Sequence, residues 1–221
     1  TLSDANENND YIISISAEDA AVSISDLNNI TSLTSKPVNI SNATNITSSS
    51  ILDFQTFGQL LTDNEFINPS NTVVSVAELS DETIDATALA ETIDVLASLS
   101  GPNATTLLTL ANGATINIDA SEIAHMLEDE SNSRLNISNQ DIIVSGSNTI
   151  SVDTANDLSE ITKGIVTANI FTSRVSDLKT LNETNNSYTI SILPADANVT
   201  ADDLSTIDGK TSGRIDAGAV T

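Results

Sequence analysis

The sequence predicts an α/β or β-rich repeat solenoid in which short parallel strands alternate with short helices. Three observations carry that prediction: a recurring apolar phrase, a core supplied by small aliphatic residues, and very little aromatic volume. Only 3% of the 221 residues are aromatic while 39% are hydrophobic, so burial must come from Ile, Leu, Val and Ala. Thin stacked layers of such residues suit a repeat better than the pocketed core of an ordinary enzyme. The alternative fold is an all-β parallel helix in which the Leu-x-x-Ile turns are irregular corners.

The phrase is an alternating strand-like pair, a small polar residue, Asp or Glu beside Leu or Ile, and a further Leu or Ile three residues on. It first reads Val22-Ser-Ile24-Ser-Asp-Leu27-Asn-Asn-Ile30. It returns as Ile116-Asn-Ile118 with Glu122-Ile123 and Met126-Leu127, and as Ile150-Ser-Val152 with Asp157-Leu158 and Ile161. The last copies are Asp177-Leu178-Lys-Thr-Leu181 and Asp203-Leu204-Ser-Thr-Ile207, with a weaker one at Leu89 and Ile93. Alternation by two puts Val22 and Ile24, or Ile116 and Ile118, on one strand face. The Leu-x-x-Ile spacing puts two apolar side chains on one side of a short helix.

Each phrase leads to another alternating strand: Val38-Asn-Ile40, Leu135-Asn-Ile137, Ile165 to Ala168, Thr189 to Ile192, and Ile215-Asp-Ala217. Thr200 with Asp203, and Thr154 with Asp157, have capping-box spacing, so each unit reads strand, cap, short helix, turn. Gly164 and Gly209 read as turns. Residues 1–10 read as a flexible polar segment, 11–47 as a first repeat region, and 113–221 as regular strand–helix repeats. Residues 48–112 break the pattern as an irregular or inserted region, and alanine enrichment across 77–97 predicts the longest helix, ending near Gly101-Pro102. The final Gly218-Ala-Val-Thr221 lacks a polar cap, which predicts either truncation or a subunit interface.

Composition excludes several function classes. Seven basic residues against thirty-one acidic ones leave a net charge of −24, which rules against nucleic-acid partners and anionic membranes. The absence of cysteine removes disulfides, thiolate metal sites and cysteine nucleophiles. No stretch reaches the roughly 18 apolar residues of a membrane helix, so direct membrane insertion is not expected. His125 is the single histidine, inside Ile123-Ala-His-Met-Leu127, and no Gly-x-Ser-x-Gly elbow accompanies it; it reads as a helix residue rather than a catalytic base. Paired carboxylates leave a polysaccharide-acting enzyme as an alternative, but the aromatic platforms and basic groups of such clefts are scarce here.

Calcium is the best ligand the composition offers, because hard oxygen ligands abound. Asp4-Ala-Asn6-Glu-Asn8-Asn9-Asp10 begins like an EF-hand loop, yet it lacks the sixth-position glycine and has Ile15 where the bidentate Glu should stand. A solvated tail with diffuse calcium bridging is the expectation, and no metal ligand is assigned. Asn-x-Ser/Thr sequons stand at Asn29, Asn39, Asn42, Asn45, Asn103, Asn136, Asn182, Asn185 and Asn198. In a chain this rich in Asn, Ser and Thr they decide nothing about glycosylation.

The stretch Ala201-Asp-Asp-Leu-Ser-Thr-Ile-Asp-Gly-Lys-Thr-Ser-Gly-Arg-Ile-Asp-Ala217 resembles a repeat of very large surface-associated or secreted proteins of marine cyanobacteria, and of some phage structural proteins. Asp157-Leu158-Ser-Glu-Ile161-Thr-Lys-Gly164-Ile-Val-Thr-Ala168 is similar but lacks part of the turn. The resemblance is good over 150–221, partial at 22–46 and 116–146, and poor at 48–112. It implies long repeat arrays without a catalytic residue set, so no catalytic or cofactor-binding residue is carried over.

The expected function is therefore a non-enzymatic extracellular or cell-surface structural protein: scaffold, surface layer, filament subunit or adhesin segment. A phage tail or fibre component is the second expectation. The expected partners are copies of itself or neighbouring repeats of the same polypeptide, and surface polysaccharide.

Overall fold

The computed structural model describes residues 10–19, 21–48, 50–63, 66–67, 73–76, 83–90, 93, 107–182, 185–196 and 199–218. Its first half runs β1 (Ala21–Ser23), α1 (Ile24–Thr31), β2 (Val38–Asn39), β3 (Asn45–Ser48), α2 (Ile51–Thr62), β4 (Phe66–Ile67), β5 (Val73–Val76), β6 (Thr83–Asp85) and β7 (Leu107–Thr109). Its second half runs β8 (Thr115–Ile118), α3 (Ile123–Ser131), β9 (Leu135–Asn136), β10 (Asp141–Val144), β11 (Thr149–Ile150) and α4 (Val152–Ile161). It continues with β12 (Val166–Ile170), α5 (Val175–Leu178), β13 (Ser187–Ser191), α6 (Ala201–Asp208) and β14 (Ile215–Asp216). The expected class, parallel strands alternating with short helices, is what these elements form.

Two compact units divide the chain, and their segments interleave in sequence. The first contains a five-stranded sheet in the order β1-β3-β5-β7-β9 and a small pair, β2 with β4. The second contains a seven-stranded sheet, β14-β13-β12-β10-β8-β6, with β11 joined to β12. Strand pairs in both are parallel, and order in each sheet follows order in the chain. Among the described residues no helix is long and apolar enough to cross a membrane.

Register explains why small aliphatic residues suffice. In the second unit Ile84, Ile116, Ile142 and Val166 lie side by side across four strands, and none is exposed to solvent. Each such side chain contributes about 1.5–3 kcal/mol when fully buried, so a row of four replaces a large aromatic cluster. Tyr188 is the large exception: it is buried on β13, and its Oη donates to the Ala155 carbonyl of α4 at 3.3 Å. In the first unit Val22 and Ile46 pair in register, as do Leu108 and Leu135, and all four are buried.

Helices α1, α4 and α6 begin where Ser or Thr side chains take the first free amides. Ser23 Oγ accepts from Asp26 N at 3.0 Å, and Ser151 Oγ accepts from Thr154 N at 3.0 Å. Thr200 and Asp203 form the full reciprocal box, at 3.1 and 3.0 Å. Thr154 with Asp157 is not a box: Ser151 caps α4 one turn earlier, leaving both residues inside the helix. Ile24 and Val152, expected on strands, are instead the first helical residues, because a serine cap stands immediately before each.

Thr83–Asp85 form a strand within the span expected as the longest helix, because Ile84 joins the buried aliphatic row. Residues 86–90 and 93 are helical, and the rest of 77–97 lies outside the described residues. Within 48–112 the 12-residue α2 is helical, while β5 and β7 continue the five-stranded sheet and β6 the seven-stranded one. Residues 1–9 and 219–221, which carry the expected N-terminal segment and most of the uncapped end, lie outside the described residues.

A threonine corner returns the chain to the sheet. Thr162 Oγ1 donates to the Gln140 carbonyl at 2.6 Å and accepts from Gly164 N at 3.0 Å. Thr211 Oγ1 accepts from Tyr188 N at 2.7 Å and Gly213 N at 2.9 Å, and donates to the Tyr188 carbonyl at 2.9 Å. Thr34 does the same work in the first unit, bonding the Tyr11 carbonyl at 2.6 Å and Lys36 N at 3.0 Å. The glycine two residues on is a matter of space. A Cβ on Gly164 would lie 2.2 Å from the Gln140 carbonyl oxygen, and one on Gly213 would lie 2.2 Å from that of Tyr188.

Two stability predictions follow from these contacts. Gly213→Ala lowers unfolding free energy by about 1–3 kcal/mol through overpacking against backbone. Thr211→Val lowers it by about 2 kcal/mol or more, because two amides lose their acceptor. Urea denaturation measures both, and wild-type midpoints would refute the corner. Ser133, after α3, holds φ at 58°, a conformation that suits glycine. Ser133→Gly therefore raises stability by about 1 kcal/mol in the same measurement.

Candidate functional site

Polar and aromatic side chains of the second unit line two openings where β11 and β12 end and α4, α5 and α6 begin. An open groove of about 410 Å³ lies there. The start of α4 lines it with Ser151, Val152 and Asp153, and α5 and its following turn add Asp177 and Thr180. Between them stand Phe171 and Ser173, from the segment that leaves β12. A smaller cavity of about 290 Å³ is lined by Arg174, Val175, Asp196, Val199 and Asp203, among others.

Phe171 is 53% exposed, although the residue before it, Ile170, is buried. Its backbone is fixed on both sides: Phe171 N donates to the Ile150 carbonyl at 2.9 Å, and the Phe171 carbonyl accepts from Ser173 Oγ at 2.7 Å. Asp153 is exposed, and among the described residues none donates to its carboxylate. Asp177 accepts from Ser176 Oγ at 3.0 Å, and the Thr180 hydroxyl donates to the Asp177 carbonyl at 2.6 Å. The lining thus offers an aromatic face, two carboxylates and hydroxyl oxygens, with no cationic side chain.

In the smaller cavity the acids are already engaged. Asp196 Oδ2 accepts from Val175 N at 2.7 Å, supplying from 21 residues away the cap that Arg174 does not provide to α5. Arg174 itself stands 3.8 Å from Asp196. Lys179 bonds Asp203, and this bond, with those from the Thr200 amide and hydroxyl, pulls the Asp203 pKa down to about 2. A further polar link joins Asn156 and Asn182. Asn156 Nδ2 donates to the Thr180 carbonyl at 3.0 Å, and Asn182 N donates back to Asn156 Oδ1 at 2.9 Å.

Other residues singled out in the sequence lie apart from this groove's lining. His125 is half-buried on α3. Of the EF-hand-like run only Asp10 is described, and the rest lies outside the described residues. The Ser35 hydroxyl and then Lys36, 3.5 Å away, hold the Asp10 pKa below the ordinary carboxylate range. Among the described residues no group of three or more His, Cys, Asp or Glu side chains is placed to hold a metal ion. The sequon residues Asn29, Asn42, Asn136, Asn182 and Asn185 are exposed and Asn39 and Asn45 half-buried; Asn103 and Asn198 lie outside the described residues.

Sequence reasoning missed the groove and the buried Asp129, which is 1% exposed and stands 3.6 Å from Arg134. A signal for the groove did exist. Val166, Ala168 and Ile170 alternate inward, so the next residue, Phe171, falls on the outward phase. No protein-family model matches the chain, and comparison with curated proteins finds no match.

Asp203 sets a pH dependence. Its folded pKa is depressed from 3.8 to about 2, so the stability it contributes is complete above the unfolded value and is lost as pH falls toward 2. Asp203→Asn should flatten that part of the stability profile. Urea unfolding from pH 5 down to 2 tests this, and a variant that keeps the wild-type acid slope would refute it.

Proposed function

We propose that the chain is a non-enzymatic structural protein of the extracellular space or cell surface, in which the strand–helix units wind as successive coils of a solenoid. The observation that carries this reading is sheet order. In each unit, parallel strands are added in the order in which the chain makes them, which is the connectivity of a coil that stacks on its predecessor. Within the second unit polar side chains bond between successive strand–helix repeats, for example across 20 residues from Val166 to Asn186 and across 29 from Asp119 to Asn148. Such contacts serve a scaffold, surface layer, filament subunit or adhesin segment, where cohesion along the array is the working property.

Two of the acids accord with the same reading. A hydrolase acting through paired carboxyls needs one held protonated near neutral pH. Asp10 and Asp203 are pushed the other way, by hydrogen bonds and lysines. The open edge of the seven-stranded sheet can also accept a further strand, from a second copy or a neighbouring repeat of the same polypeptide. β14 pairs with β13 on one side and has no second strand partner among the described residues.

Small-angle scattering with sedimentation velocity tests the proposal. The expected result is an elongated particle that self-associates as concentration rises, with association favoured by salt or calcium that screens the net charge of −24. A near-spherical scattering profile, or a strict monomer under all those conditions, would sink it.

A further inference from the structure

The scaffold reading leaves the groove beside Phe171 without a role. We propose that it is a subsite for a neutral saccharide, with one sugar ring against Phe171 and its hydroxyls donated to Asp153 and Asp177. The inference does not rest on self-association, since a monomer carries the whole groove.

The aromatic face comes first. Phe171 is one of only six aromatic residues, yet it stands 53% exposed at the groove, held by backbone bonds on both sides. An apolar ring kept in water forgoes the burial its neighbour Ile170 enjoys, and a planar C–H face of a sugar can recover it. The acceptors come second. Among the described residues Asp153 receives no hydrogen bond, so its oxygens are available to hydroxyl donors. Ser173 and Thr180 spend their protons on the Phe171 and Asp177 carbonyls, which leaves their oxygens as further acceptors.

Charge selects among sugars. The lining has two carboxylates and no cation, so uronates and sulfated sugars are repelled. The N-terminal end of α4, where Ser151 to Asp153 stand, carries only about half a charge and offsets a fraction of the two carboxylates, so an amino sugar is the competing ligand that titration must separate from a neutral polyol. The space of about 410 Å³ fits a ring or two of a larger glycan rather than an enclosed small molecule.

Amide correlation spectra of the ¹⁵N-labelled chain test this, titrated with cellobiose and mannobiose, and separately with galacturonic acid and glucosamine. A neutral disaccharide should give saturable millimolar shifts confined to residues 151–153, 171–173 and 177–180. Phe171→Ala should weaken binding roughly tenfold without disturbing the remaining spectrum. Asp153→Asn should weaken it separately. The proposal is overturned if neither neutral sugar perturbs those residues, if Phe171→Ala binds as well as wild type, or if only galacturonic acid or only glucosamine binds. Shifts spread evenly over the acidic surface would overturn it too, as diffuse electrostatics. A scaffold that fails to self-associate leaves all these outcomes readable.

Discussion

Parallel strand pairing is the constraint on which the rest of the structure depends. Two parallel strands cannot be joined by a tight hairpin, so after each strand the chain must travel away and return in register. The short helices and polar turns do the travelling, and buried hydroxyls secure the return. Thr211 bonds both the amide and the carbonyl of Tyr188, standing where a neighbouring peptide would stand in a regular ladder. Asn186 and Asp141 play the same part, their side-chain oxygens accepting from Val166 N and Ile165 N at 2.8 and 2.7 Å. Where the ladder is too short to satisfy its own backbone, side chains complete it.

That economy explains the composition. A core assembled as rows of Ile and Val, one per strand, needs uniform width more than volume, and aromatic rings would disturb the spacing of layers about 4.8 Å apart. Ser and Thr are used at caps and corners: Ser23, Ser151 and Thr200 start helices, and Thr34, Thr162 and Thr211 turn corners. The same residue types, with Asn, create many chance glycosylation sequons, several of them already committed to backbone: Asn42 Nδ2, for example, donates to the Ile15 carbonyl at 2.9 Å.

The acidic excess is managed locally. Four of the seven cations, Lys36, Arg134, Arg174 and Lys179, each stand against an aspartate. Arg134 with Asp129 is the costly case, because the acid is 1% exposed and depends on its partner. The exposed pairs matter less for stability than for holding neighbouring turns in one arrangement.

The strand pairs around Ile116, Ile150, Ile190 and Ile215, the short helices after the first three and the Thr200–Asp203 box were legible in the sequence, because each depends on residues within one turn or one pleat. Local rules also placed His125 on a helix and Gly209 in a turn, where it follows α6. Boundaries were less legible: nothing within 151–157 says whether Ser151 or Thr154 will cap, and the strand it follows decides. The partnership of Thr211 with Tyr188, the close approach at Gly213, the joining of β6 to the edge of the seven-stranded sheet and the place of Phe171, Asp153 and Asp177 on one groove were decided by tertiary structure alone. Each joins residues whose proximity exists only once parallel strands have found their register, and register is a property of the whole sheet rather than of any one segment.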